Sequence, residues 1–504
     1  MTSLADGEWH RLHPASPLLR GGIFMVAVIG FVLANLRERL IDVFIGAPAA
    51  TGDPIDEIFR RGAVGWALLA VLVVLAVILV GFYLSWRMHS FRVNEEAVEV
   101  RSGLLFRSNR KARLDRIQGV NIVRPFLPRL FGVARLEVSV AGQDANVQLA
   151  YLSSAPADDL RRDILRLASG VRLAAAQANP EPAPTAAGFV ADRVTDFLAP
   201  ELDPDAAPPE SVVRIPPGRL LGSIVLSGFT LFLLLAVAAL LVSVFVADSV
   251  WVLFAILPGI IGSSGYYLTR MTKSLRYSIA GTPDGVRVGF GLFSTSNETL
   301  PPGRIHAVSV SQPILWRPFG WWQVRINTAG RSTNKGAAGQ ANTTTLPVGT
   351  LSDVARVLEL ILPGFNGDEQ RALIERGMRG AGGSDGFVNA PRRAAWLRPF
   401  SWRRTGYAVS AGVALLRRGV ISRELILVPL ARLQSVGIDQ GPIRRMLRLA
   451  SARLHTVAGP VVASLSVVDV DEAVRLFERI AAGAVESANL DTSHRWNQTA
   501  GAFE

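Results

Sequence analysis

The side chains that usually carry catalysis are thinly spread in this 504-residue chain and poorly spaced for it. Its six histidines, His10, His13, His89, His306, His455 and His494, show no metal-ligand spacing except His10 with His13, and two histidines without acidic neighbours make a poor site. There is no cysteine, which excludes disulfide scaffolds and thiolate zinc sites. The sequence has no phosphate-binding glycine loop and no nucleophile elbow. It therefore predicts no catalytic residue, no cofactor and no metal. What remains is arginine, which can cross-link loops or attract anions, and its placement is ordered.

Arginine supplies 50 of the 53 basic residues, the lysines being Lys111, Lys273 and Lys335; against 41 acidic residues this gives a net charge of +12. Basic residues spread over an Ala-, Val- and Leu-rich chain read as compositional bias, and membrane proteins also gather them in cytoplasmic segments. A nucleic-acid partner is not expected.

The stretch RLDRIQGVNI, Arg113 to Ile122, occurs three times, with counterparts at Pro302 to Val310 and Leu430 to Ile438. Columns at constant spacing hold Arg116, Arg304 and Arg432, then Gln118, His306 and Gln434. Thirteen residues before the repeated arginine stands a glycine, Gly103, Gly291 or Gly419, and thirteen after it a second arginine, Arg129, Arg317 or Arg445. A unit of about ninety residues is too long for a solenoid repeat, so each copy is expected to bury its own small core. Apolar positions three apart, Ile117 and Val120, break a period of two and predict a bulge near Gln118-Gly119. A side chain beside a bulge is well placed to satisfy backbone groups, so these columns are read as structural.

The units differ in charge. The first carries Arg107, Arg110, Lys111 and Arg113 in one expected loop, the second Ser294 to Glu298 there, the third only Arg423 beside Glu424. If any unit attracts anionic lipid headgroups it is the first, at about 1 kcal/mol per basic residue near the surface.

The positioning elements follow from hydrophobic period. Within each unit short alternating runs such as Phe91-Val93, Val98-Val100 and Leu136-Val138-Val140 predict an antiparallel meander. A closing amphipathic helix is expected from Pro156 in the first unit, over Leu351 to Leu362 in the second and Asp471 to Ile480 in the third. Four apolar stretches, Leu18 to Leu36, Ala63 to Trp86, Leu220 to Val246 and Val250 to Leu268, predict two transmembrane hairpins. The turn Ala247-Asp248-Ser249 has no positive charge, while Arg214 and Arg219 precede the hairpin and Arg270, Lys273 and Arg276 follow it. Both ends, and with them the units, are therefore expected in the cytoplasm.

Two-helix hairpins feeding a strand-rich unit with R-[IL]-[QH]-x-V, an upstream glycine and a terminal helix resemble the bacterial pleckstrin-homology (PH) membrane protein family. The resemblance implies small bent antiparallel barrels, each capped by a C-terminal helix. The fold class expected is an α+β membrane protein with two transmembrane hairpins and three PH-like units. The division expected is 1–86 N-terminal segment and hairpin, 87–170 first unit, 171–219 linker, 220–268 second hairpin, 269–362 second unit, 363–401 linker, 402–481 third unit and 482–504 disordered tail. The third unit has no hairpin of its own. The function expected is a non-enzymatic assembly platform in the plasma membrane, with the bilayer, anionic headgroups, and other membrane proteins or further copies as partners. A membrane component of an export or antimicrobial-peptide resistance system is the alternative.

Overall fold

The computed structural model describes residues 4–14 and 16, most of 86–168, 213–247, most of 275–329 and 343–490, and scattered positions within 66–85 and 259–274. The first apolar stretch, most of the linker at 171–219, the turn after Ala247 and the tail beyond Leu490 lie outside the described residues.

Each unit is built from two short meanders. In the first, β2 (Ser90–Val93), β3 (Ala97–Ser102) and β4 (Ser108–Arg113) form one sheet, and β5 (Ile117–Arg124), β6 (Val133–Val140) and β7 (Val147–Ser153) the other. A five-residue helix α1 (Phe126–Leu130) joins β5 to β6, and α2 (Ser154–Ala168) closes the unit with Leu160, Ile164 and Leu165 buried. The turn between β2 and β3 is held by Asn94, whose side-chain oxygen accepts from the backbone of Ala97 at 2.7 Å.

Before the second unit stand β8 (Val213–Arg214), α3 (Pro217–Val225) and α4 (Gly228–Ala247). The unit itself has β9 (Ser278–Thr282), β10 (Gly285–Phe290) and β11 (Thr295–Leu300), then β12 (Ile305–Pro313), β13 (Trp322–Thr328), β14 (Thr344–Gly349) and α5 (Leu351–Ile361). A capping box starts α5, with Thr350 and Asp353 exchanging side-chain and backbone bonds.

The third unit follows α6 (Asp368–Arg379) and β15 (Val388–Asn389). It has β16 (Gly406–Ser410), β17 (Val413–Arg418) and β18 (Ser422–Pro429), then β19 (Ser435–Asp439), α7 (Pro442–Met446), β20 (Leu449–His455), β21 (Ser464–Asp469) and α8 (Val470–Leu490).

Several sequence expectations change here. The units do not close separately: β5 pairs with β11, and β12 with β18, so two seven-stranded sheets run across the unit boundaries. One hydrophobic core likewise joins Val308, Val310 and Val324 of the second unit to Leu415, Leu425 and Leu427 of the third. The stretch 363–401 is not a plain linker, since Leu373, Ile374 and Met378 of α6 and Phe387 bury themselves in that shared core. The segments before each unit also supply a two-residue edge strand to it. β1 (His10–Arg11) sets His10 against Phe91, β8 sets Val213 against Ile279, and β15 sets Val388 against Tyr407, which are equivalent positions. The last helix continues ten residues beyond Ile480, to Leu490.

Among the described residues no single helix is long and apolar enough to cross a membrane; α3 and Gly228–Ala239 pass that test together, bent by 46°. The bend corrects the start of the expected span at Leu220. Leu220 is buried in the core of the second unit, with Leu226 packed against it, which holds α3 on that unit rather than in line with α4.

Candidate interaction surfaces

The repeated glycine is a backbone requirement. Gly103, Gly291 and Gly419 have φ of 110°, 109° and 80°, a region that side chains disfavour. A Cβ on Gly291 or Gly419 would stand 2.0 Å from the carbonyl oxygen of Ser294 or Ser422. The bulge expected at Gln118 is present: pairing of β5 with β6 slips between Ile117 and Gly119, and pairing of β12 with β13 slips between Ile305 and Ala307, leaving Gln118 and His306 at the irregularity.

The second arginine column lies at the joints between units. Arg129, 3% exposed, donates to the carbonyl of Leu292 at 3.4 Å, and Arg317 donates to the carbonyl of Ile421 at the same distance. Each thus reaches from one unit to the turn after the repeated glycine of the next. Arg445, the third member, is exposed. The first column has mixed duties. Arg304 donates to the carbonyl of Asp115 at 3.1 Å, tying the second unit back to the first, whereas the carbonyl of Arg432 faces Nδ1 of His306 at 3.3 Å. Because a carbonyl can only accept, Nδ1 carries the hydrogen there. Burial pushes the His306 imidazole below its ordinary pKa, with Arg432 and Arg304 adding repulsion, which keeps it neutral. Gln118 bonds the carbonyl of Arg116 at 3.4 Å, while Arg116 and Gln434 are exposed.

Other polar pairs repeat the same logic. Ser296 meets Asn121 at 2.9 Å across the first joint, and Ser309 meets Glu424 at 2.7 Å across the second. Asn121 and Ser309 are one repeat column, as are Ser296 and Glu424. Asn327, 1% exposed, donates to the carbonyl of Val461 at 2.7 Å and accepts from its amide at 2.9 Å. Arg417, fully buried, pairs with Asp385 and donates to the carbonyl of Arg404 at 3.1 Å. Arg404 in turn donates to the carbonyls of Gly377 at 3.0 Å and Met378 at 2.7 Å, capping α6. Burial works against ionisation of Asp385, but the bonds and charge of Arg417 outweigh it and hold the carboxyl below its usual range.

The basic cluster is not a loop. Arg110, Lys111 and Arg113 lie on β4, and Arg107 just precedes it, so their side chains alternate between faces. The strand is held by its ladder to β3, with Val98 opposite Ala112, the one buried residue of the strand. Three of the four have partners: Lys111 meets Glu99 at 3.3 Å, Arg113 meets Asp115 at 3.1 Å, and Arg110 donates to the carbonyl of Asn146 at 3.4 Å. Burial opposes ionisation of Glu99, yet bonds from Arg92 and Lys111 hold its pKa below the ordinary value.

The second unit grips the apolar helices. Trp316 donates through its indole nitrogen to the carbonyl of Leu226 at 3.1 Å, and Trp321 packs so closely on Gly222 that a Cβ there would lie 2.7 Å from the ring. Tyr267 donates to Thr230 at 2.7 Å, and Phe229 and Tyr266 have ring centroids 4.5 Å apart. Before β16 of the third unit Trp396 and Phe400, each 84% exposed, stand at the repeat positions that Val80 and Leu84 of the apolar stretch before the first unit occupy. Ile443 and Met446 of the same unit are exposed as well. None of these aromatic and apolar contacts could be located from the arginine columns.

Among the described residues no group of three or more His, Asp or Glu could hold a metal ion. His10 does have an acidic neighbour, its Nε2 lying 2.8 Å from a carboxylate oxygen of Asp6.

A family model described as Bacterial PH domain matches residues 41–168, 223–364 and 386–484. No curated protein and no solved structure matches the chain.

Proposed function

From the premise that this chain belongs to the bacterial PH domain family, we propose that it is a membrane-anchored, non-enzymatic platform whose three PH units present one joined surface to protein partners in the cytoplasm. The observation that carries this reading is the union of the units. A set of independent ligand-binding modules has no need of sheets that cross their boundaries, whereas a scaffold gains a fixed geometry from them. The membrane part is supported by the uncharged stretch Ala63 to Trp86 and the helices around Leu220 to Leu268, with basic flanks on one side. Indole contacts from Trp316 and Trp321 with α3 and its C-terminal end, just before α4, suit the interfacial level at which such rings settle. Trp396 and Phe400, flanked by Arg392, Arg393, Arg398 and Arg403, give the third unit an interfacial contact in place of a hairpin.

Anionic headgroups rank below protein partners in this reading, because Glu99 and Asp115 already engage Lys111 and Arg113. Extraction from native membranes in mild detergent, followed by identification of whatever remains bound, tests it. Copies of the chain or a fixed protein partner are expected. A bound transport ATPase would instead favour the export system.

A further inference from the structure

Among the described residues, two of the outermost strands are repeat equivalents of strands that the internal joints pair. β11 and β18 have neighbours on both sides, as do β5 and β12. Their repeat equivalents at the ends of the chain, β4 in the first unit and β19 in the third, are the outermost strands of their sheets. All six residues of β11 are buried, whereas all of β4 but Ala112 are exposed. Six of the eight residues of β5 are buried and none of β19. Helix α8 does not cover the open edge: it packs on β19 as α2 packs on β5, and β5 still has its edge taken by β11.

The two internal joints also share one register. Arg124 pairs with Thr295 in the first and Gln312 with Arg423 in the second; Arg124 and Gln312 are one repeat column, Thr295 and Arg423 another. Val120 with Thr299 and Val308 with Leu427 match in the same way.

We propose that β4 of one copy pairs antiparallel with β19 of a second copy in the register of the internal joints, so that chains join head to tail. The register sets Lys111 opposite Val436, Arg110 opposite Gly437, Asn109 opposite Ile438 and Ser108 opposite Asp439. Asp439 then lies diagonally across from Arg110, within reach of a long side chain. Pairing of β4 with β4 is disfavoured, since it brings Arg110, Lys111 and Arg113 against their own kind, while β19 presents Val436, Gly437, Ile438 and a single acid. Exposed Arg445 would face the Gly103 end of β3 in the neighbour, as Arg129 and Arg317 face the turns after Gly291 and Gly419 within the chain. Because the two surfaces differ, the contact is heterologous, and successive copies close into a ring or extend as a filament. Five or six residue pairs make a weak contact in dilution, and confinement to a bilayer raises the effective concentration that sustains it.

The inference deepens the platform reading, but it stands on strand edges rather than on the hairpins. Full-length chains carrying Lys111→Cys and, separately, Val436→Cys are mixed by co-expression and oxidised in whichever cell fraction holds the protein. The native chain has no cysteine to interfere. A disulfide-linked dimer is expected from the mixture and from neither variant alone, and the doubly substituted chain is expected to give a ladder of multiples. The equivalent internal pair, Val120→Cys with Thr299→Cys, calibrates oxidation at this register within one chain. Cross-linking of either single variant to itself as readily as in the mixture overturns the head-to-tail contact, as does a mixture that stays monomeric while the internal pair oxidises. Neither result bears on which side of a membrane the units occupy.

Discussion

Arg129 and Arg445 occupy the same repeat column yet stand in opposite circumstances. Arg129 is buried between two units with its guanidinium on a neighbouring carbonyl, and Arg445 is exposed at the end of the chain. Removing a buried charged donor leaves its acceptor unpaired, at a cost of roughly 1 to 3 kcal/mol. Arg129→Ala is therefore expected to lower the melting temperature of the full chain, and Arg445→Ala to leave it within error; a thermal melt compares the two. His306 offers a second residue-scale test. Its folded pKa lies below the ordinary imidazole value because the ring is buried, so folding favours the neutral ring and the unfolded chain takes up the proton first. The stability it contributes is fully present above that ordinary value and is lost as pH falls through the lowered folded value. His306→Gln, the residue type of the other two units, should flatten the pH dependence of stability over that acidic window while keeping the joint. Denaturant titrations at pH 7.5 and 5.0 measure it, and an unchanged pH slope would remove His306 from the account.

At the scale of elements, much was legible in the sequence because period and spacing are local signals. The period of two at Phe91-Val93 and Val98-Val100 became β2 and β3, and the broken period at Ile117 and Val120 became a bulge. The opening of α2 near Pro156 followed from helix spacing. What the sequence did not disclose is non-local. Nothing in Asn121 or Ser296 alone says that β5 and β11 pair, and a polar strand such as Thr295–Leu300 reads as a loop until a second unit covers it. The same blindness placed Arg110, Lys111 and Arg113 in a loop. The bend between α3 and α4 was hidden because Leu220 and Leu226 are as apolar as any membrane-facing residue, and only the core of the second unit distinguishes them. Gly222 marks that contact. With Trp321 2.7 Å from where a Cβ would sit, Gly222→Val should force the ring away and loosen α3, increasing amide exchange over Pro217–Val225; equal exchange in both proteins would show that the grip lies elsewhere.

For the whole molecule, the three family matches and the two shared sheets describe one jointed body rather than three beads. Its orientation is the central claim, and the absence of cysteine makes it accessible to measurement. Glu95 lies exposed in the turn of the first unit, and Ser249 falls in the hairpin turn read from the sequence. Single cysteines at the two positions in the full-length chain can be treated with a membrane-impermeant maleimide in intact cells and again after lysis. The account predicts labelling of Ser249→Cys in intact cells and of Glu95→Cys only after lysis. Labelling of Glu95→Cys in intact cells would place the PH units outside and contradict it.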